Sequence, residues 1–387
     1  MKASKNIWSL DVLRAIAAFM VMAGHARNLF LVDYADLTDK SWFVTALYFF
    51  TGFLRESVIV FFVLSGFLVG GSIEKALASG KFRFQSYLTS RMVRLWVVLL
   101  PALALGLILD AWGIVLFETT GRYGANTGSN ILIDYPDLYF STLFGNALFV
   151  QTILVPTFGT NVALWSLANE FWYYLLYPIF RIGFLERTSK NQLLLLGGVA
   201  GLYFIGPFMA SYGLIWCMGV VAWKYADQHR EARLSLAIIS AACFVGWLFA
   251  SRTGLLPDIG PIYSDFGLGI ATAVFIAHAA NFRRLGAAPA KVWSTLSGFS
   301  YSLYLIHTPF LFFMIEGIAP DARRLPTSDN LLIYFMMVAS CYSFAYIFGG
   351  FTEGKTEYVK SLLVKRFVKA QAAPAARKHK PHGKKAA

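Results

Sequence analysis

The sequence predicts an all-α, polytopic transmembrane helical bundle of about ten spans (eleven if one short apolar stretch also crosses), with both termini cytoplasmic. Three observations predict it. The 387 residues are 57% hydrophobic and only 14% charged, with a mean hydropathy of +0.57, whereas soluble domains are nearer a quarter charged. About ten apolar runs are each long enough to cross a hydrocarbon core. Finally, Lys and Arg fall unevenly on alternate loops, 26 on the side that holds the N-terminus against 7 on the other. The excess survives removal of the C-terminal tail, at 16 against 7, and cytoplasmic loops carry such an excess.

The runs lie near 8–31, 57–73, 93–117, 161–180, 192–209, 211–226, 234–250, 262–280, 294–315 and 331–351. The stretch at 138–156 reads as re-entrant, interfacial or an extra span, and that at 42–54 is equally ambiguous. The first run is read as a retained span, because Arg14 lies inside it and no small-x-small site closes it. Residues 1–353 are expected to form one membrane domain and residues 354–387 a basic, disordered cytoplasmic tail suited to anionic lipid headgroups. The net charge of +13 is therefore a topology signal, and nucleic acid is not expected as a partner. Cys217, Cys243 and Cys341 stand alone in apolar runs, so neither a metal site nor a disulfide framework is predicted.

Intramembrane ionisable groups usually point into a cavity or at a partner, which singles out several residues. Arg14 and His25 are eleven residues apart, about three helical turns plus 20°, so they share one face about 16 Å apart along the axis. Asp11, one turn below, is the local ion partner of Arg14. In the second span Ser65, Gly66, Gly70 and Gly71 interrupt Phe, Val and Leu; they serve close helix packing or line a passage for a thin substrate. Arg91 and Arg94 open the third span beside Lys81 and Arg83. Together they make a cationic mouth suited to a phosphorylated donor, since a guanidinium binds phosphate through a fork of N–H groups. Glu170 is buried among aromatics and needs a partner, Arg14 or another Arg. Ser300, Tyr304 and His307 fall at i, i+4 and i+7 on one face.

The pieces LDVLRAIAAFMVMAGH, FFVLSGFLV, SRMVRLWVVLLP, LWSLANEFWYYLLYP and SYSLYLIHTP occur in the order found in the acyltransferase-3 family, and the chain resembles that family over nearly its whole span region. The family's Arg, ten residues, His pattern is met by Arg14 and His25. The resemblance implies a multi-pass protein of the bacterial inner (cytoplasmic) membrane that O-acylates surface glycans. It implies His25 as an essential catalytic residue with Arg14 as its companion, and Arg91 and Arg94 as acyl-coenzyme A ligands. Trp165, Ser166 and Glu170 match the tryptophan-serine-leucine motif with its following carboxylate, and Tyr301 and His307 match late positions that shape the site. Glu353 resembles a final-span glutamate, but Gly354 and Lys355 replace the Arg-Pro that usually follows it. Asn169 departs from the apolar or small residue usual before the glutamate.

The expected reaction moves an acyl group, acetyl first among the candidates, from cytosolic acyl-coenzyme A to a hydroxyl of a carbohydrate or glycolipid acceptor. No permanently bound cofactor is expected; the acyl-coenzyme A is a co-substrate, its arm passing near Ser65 and Gly66. His25 is the expected general base, oriented by Glu170 or His307. Arg14 is too far along the helix to share its reacting atom. An acyl-histidine intermediate is the mechanistic rival. A transporter or flippase using Arg, Glu and His is the alternative function, opposed by the lack of visible inverted halves.

Overall fold

The computed structural model describes residues 8–117, 123, 136–185, 188–231, 233–256, 260–281, 287–320 and 322–362. Most of the tail, with His379 and His382, and the basic pair Arg283 and Arg284 lie outside them. The described residues form thirteen helices and no strand: α1 (Trp8–Phe30), α2 (Trp42–Phe50), α3 (Leu54–Ser65), α4 (Gly71–Ala78), α5 (Phe84–Phe117), α6 (Phe140–Ala147), α7 (Leu164–Gly183), α8 (Ser189–Gln228), α9 (Leu234–Thr253), α10 (Pro261–Ala279), α11 (Ala287–Ser297), α12 (Ser300–Ile318) and α13 (Ser328–Phe351). A π-helical turn, Gly66–Gly70, joins α3 to α4. Helices are what a lipid-immersed chain must adopt, because each satisfies its own backbone donors and acceptors.

Among the described residues, eight helical segments are long and apolar enough to cross a membrane. The 40-residue α8 counts among them once but is a hairpin. A Cβ on Gly183, Gly198 or Gly201 would meet Leu195, Phe180 or Leu176 respectively, so the first half of α8 runs antiparallel to α7. The Tyr173 hydroxyl donates to the Met209 carbonyl and the Tyr177 ring meets Trp216, so the second half runs parallel to it. The chain reverses at Gly206, whose φ of 77° and ψ of 169° are essentially reserved for glycine. Pro207 then starts the second helix, with no N–H to leave unpaired. With that reversal, and with the more polar α7 as a crossing of its own, the segments make ten spans. The two ambiguous stretches do not cross: α2 has 9 residues and α6 has 8. The run at 294–315 is broken at Gly298, so α11 stands apart and α12 begins at Ser300.

Three contacts bring both ends of the described chain to one face of the bundle. The Ser9 hydroxyl donates to the Ala279 carbonyl, the Ser297 hydroxyl to Asp11, and the Ser302 N–H to Glu353. At the opposite face, Arg323 grips Asp33 through two parallel bonds of 2.8 and 2.9 Å. Hydrogen bonding to that carboxylate raises the Arg323 pKa above its ordinary value. Backbone bonds between Val32 and Arg324 and between Arg324 and Phe30 complete a tie between the ends of α1 and α12.

Of the small residues of the second span, Gly66, Gly70 and Gly71 serve close helix packing, the first of the two roles expected of them. A Cβ on Gly66 would lie 1.8 Å from the Trp216 carbonyl oxygen, and one on Gly219 would lie 2.0 Å from the Val63 carbonyl oxygen. The two backbones touch, an approach only small residues allow. Below this contact the buried Glu74 accepts from Tyr177 at 2.5 Å and pairs with Arg181 and with Lys224 at 3.0 Å, binding α4, α7 and α8 together. Gly66→Ala is expected to destabilise the fold by about 1–3 kcal/mol. A Cβ on Gly350 would meet nothing within 4 Å, so Gly350→Ala is expected to leave the thermal midpoint in detergent unchanged. Equal midpoints for the two variants would refute the close-approach role.

Candidate active site

The site begins with a missing donor. Pro309 lies inside α12 and has no N–H, so the carbonyl of Leu305, four residues earlier, loses its helical partner. Asn161 supplies one: its amide nitrogen donates to the Leu305 carbonyl at 2.7 Å. The Thr308 hydroxyl returns a bond of 2.8 Å to the Asn161 oxygen. The segment ahead of α7 is thus pinned to α12 beside His307. α7 repeats the device, because Pro178 orphans the Tyr174 carbonyl, which then accepts from the Tyr87 hydroxyl at 3.1 Å.

His307, held on this pinned turn, meets His25 of α1 at 2.9 Å between His25 Nδ1 and His307 Nε2. The ring centroids are 5.0 Å apart and the planes 24° apart, the side-by-side placement that an in-plane N–H···N bond requires. Local partners assign the protons. His307 Nδ1 lies 2.8 Å from the Tyr304 carbonyl and 3.1 Å from that of Leu303. Carbonyls only accept, so this nitrogen carries the hydrogen. In the neutral ring His307 Nε2 is then the acceptor and His25 Nδ1 the donor, which leaves the lone pair of His25 on Nε2. His307 is wholly buried, whereas His25 keeps some accessible surface.

From this pair a column of polar groups runs through the bundle. The hydroxyls of Tyr304 and Ser166 are 2.7 Å apart. Glu170 accepts from the Ser65 hydroxyl at 2.7 Å and from the Tyr174 hydroxyl, and the Trp216 indole donates to Ser65 at 3.1 Å. On α7, Ser166, Glu170 and Tyr174 are spaced by four, so one face carries them. Glu170 therefore finds hydroxyl partners instead of the arginine expected of it, and His307 is the group that touches His25. Next to Glu170, Asn169 is wholly buried with neither amide atom partnered among the described residues.

At the face that holds both ends of the chain, Arg14, Arg94 and Glu353 form an electrostatic cluster. Arg14 lies 3.6 Å from Asp11, and Arg94 is exposed. Arg91 lies over the Tyr87 ring, its Nε buried without a hydrogen-bond partner among the described residues. α1 runs unbroken from Trp8 to Phe30, so Arg14 and His25 stay at the two ends of one face. Trp165 joins Phe62, Phe208 and Tyr212 in an aromatic cluster. Tyr301 reaches the Leu95 carbonyl at 3.4 Å. Ser300 spends its hydroxyl on the Ser297 carbonyl and does not join His307. No group of three or more His, Cys, Asp or Glu suited to a metal occurs among the described residues.

Sequence reasoning did not reach Asn161, Tyr87 or Tyr174. A signal was available for Asn161 and Tyr87: a proline inside a span announces an orphan carbonyl four residues earlier, which a polar side chain can fill.

The family model described as an acyltransferase domain matches residues 7–349. Comparison with curated proteins and with solved structures gives no match. The chain belongs to the acyltransferase-3 family, and it is a membrane acyltransferase.

His307→Phe is expected to lower kcat by roughly 100-fold, within the range for losing acid–base function. His307→Gln, which keeps an acceptor, is expected to lose less. Nitrogen NMR of His25 is expected to report the Nδ1–H tautomer in the wild type and the Gln variant and a mixture in the Phe variant. Equal losses with an unchanged tautomer would mean that His307 only packs.

Proposed function

We propose that the protein transfers an acyl group, acetyl by preference, from acyl-coenzyme A to a hydroxyl of an extracytoplasmic glycan, with His25 as general base. The observation that carries this reading is the unshared lone pair on His25 Nε2, fixed by the bond to His307. The 26-to-7 loop charge ratio makes the face bearing the termini cytosolic and puts His25 near the outer leaflet. A bacterial inner membrane is the setting, because the family resemblance points to surface glycans.

The donor's phosphates bind at Arg91 and Arg94, whose guanidinium forks match phosphate oxygens. Its arm extends along the polar column past Ser65 and Glu170. The arm contains secondary amides, and Asn169 offers a buried donor and acceptor for one. Arg14 and Glu353 shape the cytosolic mouth; at three turns from His25, Arg14 takes no part at the reacting carbon. The acceptor hydroxyl loses its proton to His25 Nε2 as its oxygen attacks the thioester carbonyl. The C–S bond then breaks, and the departing sulfur takes the proton back from His25. The Ser166 and Tyr304 hydroxyls lie on the His25 side of the column and are the donors available to the tetrahedral oxyanion.

Mass spectrometry of surface glycans from a deletion strain tests this reading. Complementation with the wild type is expected to restore acyl esters and His25→Ala to restore none. With purified protein, Arg91→Ala and Arg94→Ala are each expected to raise the KM for acetyl-coenzyme A by about tenfold, the cost of one charge-assisted contact. Acyl esters that persist with His25→Ala would sink the proposal. Label retained on His25 after one turnover without acceptor would replace direct transfer by an acyl-histidine intermediate.

A further inference from the structure

A second polar site lies at the face opposite the chain ends. There α3, α9 and α10 enclose a cleft of about 330 Å³ lined by Arg55, Glu56, Trp247, Ser251, Ser264 and Asp265. That volume lies at the small end of ligand pockets, about right for one sugar ring.

Among the described residues, the charges that line the cleft, Arg55, Glu56 and Asp265, are matched by one another and by the neighbouring Arg252. Arg55 donates to Asp265 at 2.5 and 3.1 Å, and the Tyr212 hydroxyl adds a bond of 3.0 Å. Glu56 accepts from Ser251 at 3.4 Å and lies within electrostatic range of Arg252. The Arg252 guanidinium is seated against Gly52, where a Cβ would come within 2.3 Å of it. With two carboxylates set against Arg55 and the neighbouring Arg252, the described residues offer no excess positive charge for a phosphate. Its carboxylates are already engaged, which disfavours a cation. The groups that suit it are hydroxyls, which both donate and accept.

Trp247 adds a surface and an unspent donor. Its indole rests on α10 at Gly267, where a Cβ would lie 2.0 Å from the ring, so only glycine leaves the indole room. The ring lines the cleft, and its Nε1 is buried without a hydrogen-bond partner among the described residues. An aromatic plane beside paired carboxylates and a guanidinium is a platform for the C–H face of a pyranose, with its hydroxyls held at the rim.

The cleft is also placed to serve His25. Leu54, the residue before Arg55, packs against Gly24, the residue before His25. The first turn of α3 is therefore the wall between the cleft and the catalytic helix. We infer that the Arg55–Glu56–Trp247–Asp265 cleft is the acceptor subsite, which holds a neutral pyranose unit next to the hydroxyl acylated at His25. The inference rests on the acyl-transfer reading above and adds to it where the acceptor binds and by what chemistry.

Saturation-transfer NMR on the full-length protein in nanodiscs tests it, with the methyl glycosides of glucose, galactose, rhamnose and N-acetylglucosamine as probes. At least one is expected to receive saturation from the wild type. Trp247→Ala and Glu56→Gln are expected to weaken that binding by about tenfold, the scale of one lost stacking or hydrogen-bond contact. Trp247→Phe keeps a ring without the N–H and is expected to fall between. His25→Ala is expected to bind the glycosides as the wild type does, so loss of transfer in that variant separates failed chemistry from failed acceptor binding. Thermal midpoints within the scatter of the wild type establish that the variants fold. Saturation of none of the four glycosides, or equal saturation in wild type and Trp247→Ala, would overturn the subsite whatever the fate of the acyl-transfer reading.

Discussion

The hydrogen bond between His25 and His307 is the constraint on which the rest of the arrangement depends. It joins the first span to the ninth, and it selects which nitrogen of His25 is free. Its geometry is set one layer out, by the Tyr304 and Leu303 carbonyls that fix the His307 proton. That turn of α12 is set in its own right by Asn161, which satisfies the carbonyl orphaned by Pro309. Each layer follows from one rule: within a membrane, an unpaired backbone or side-chain polar group has no water to turn to. The proline therefore does more than bend α12. It creates a demand that draws a distant segment against the site.

The same rule explains how the bundle divides its polar groups. Arg14, Arg94 and Glu353 gather where the chain ends meet, Glu170 sits in the middle with hydroxyl partners, and the histidine pair lies near the other face. α1 carries the first and last of these groups on one side of an unbroken helix, so Arg14 and His25 stay apart. The Arg14 charge is balanced within its own layer by Asp11 and Glu353. The proposed transfer, with its two substrates arriving from opposite faces, uses such a layered path, with anion recognition at one end and proton abstraction at the other.

Much of this was legible in the sequence. Residue spacing alone put Arg14 and His25 on one face, and apolar run lengths separated the two halves of α8 although their helices follow each other without a loop. Gly206 and Pro207 explain why no loop is needed, since one glycine with positive φ reverses the chain. The motifs gave the family and most of the residues in the column. What did not show was partnership across long separations. His25 and His307 are 282 positions apart, and nothing local says that they meet. Gly66 was ambiguous for the same reason, because a small residue serves packing or passage according to what faces it. In this fold the backbone of Trp216 faces it.

A neutral partner for the proposed base suits this setting better than a carboxylate would. In the familiar triad a buried aspartate orients the histidine and stabilises the imidazolium that forms, but the site must hold a negative charge through the whole resting state. Among lipid-facing helices that charge is costly unless it is permanently paired. His307 orients His25 without one, because its own N–H is committed to backbone carbonyls and its lone pair to His25. When His25 takes a proton at Nε2 it still donates from Nδ1, so the bond to His307 survives in both protonation states. In the proposed transfer the positive charge exists only while the substrate oxyanion exists, and the two neutralise each other inside the bundle. Glu170, in the middle of the column, is held by its hydroxyl partners Ser65 and Tyr174.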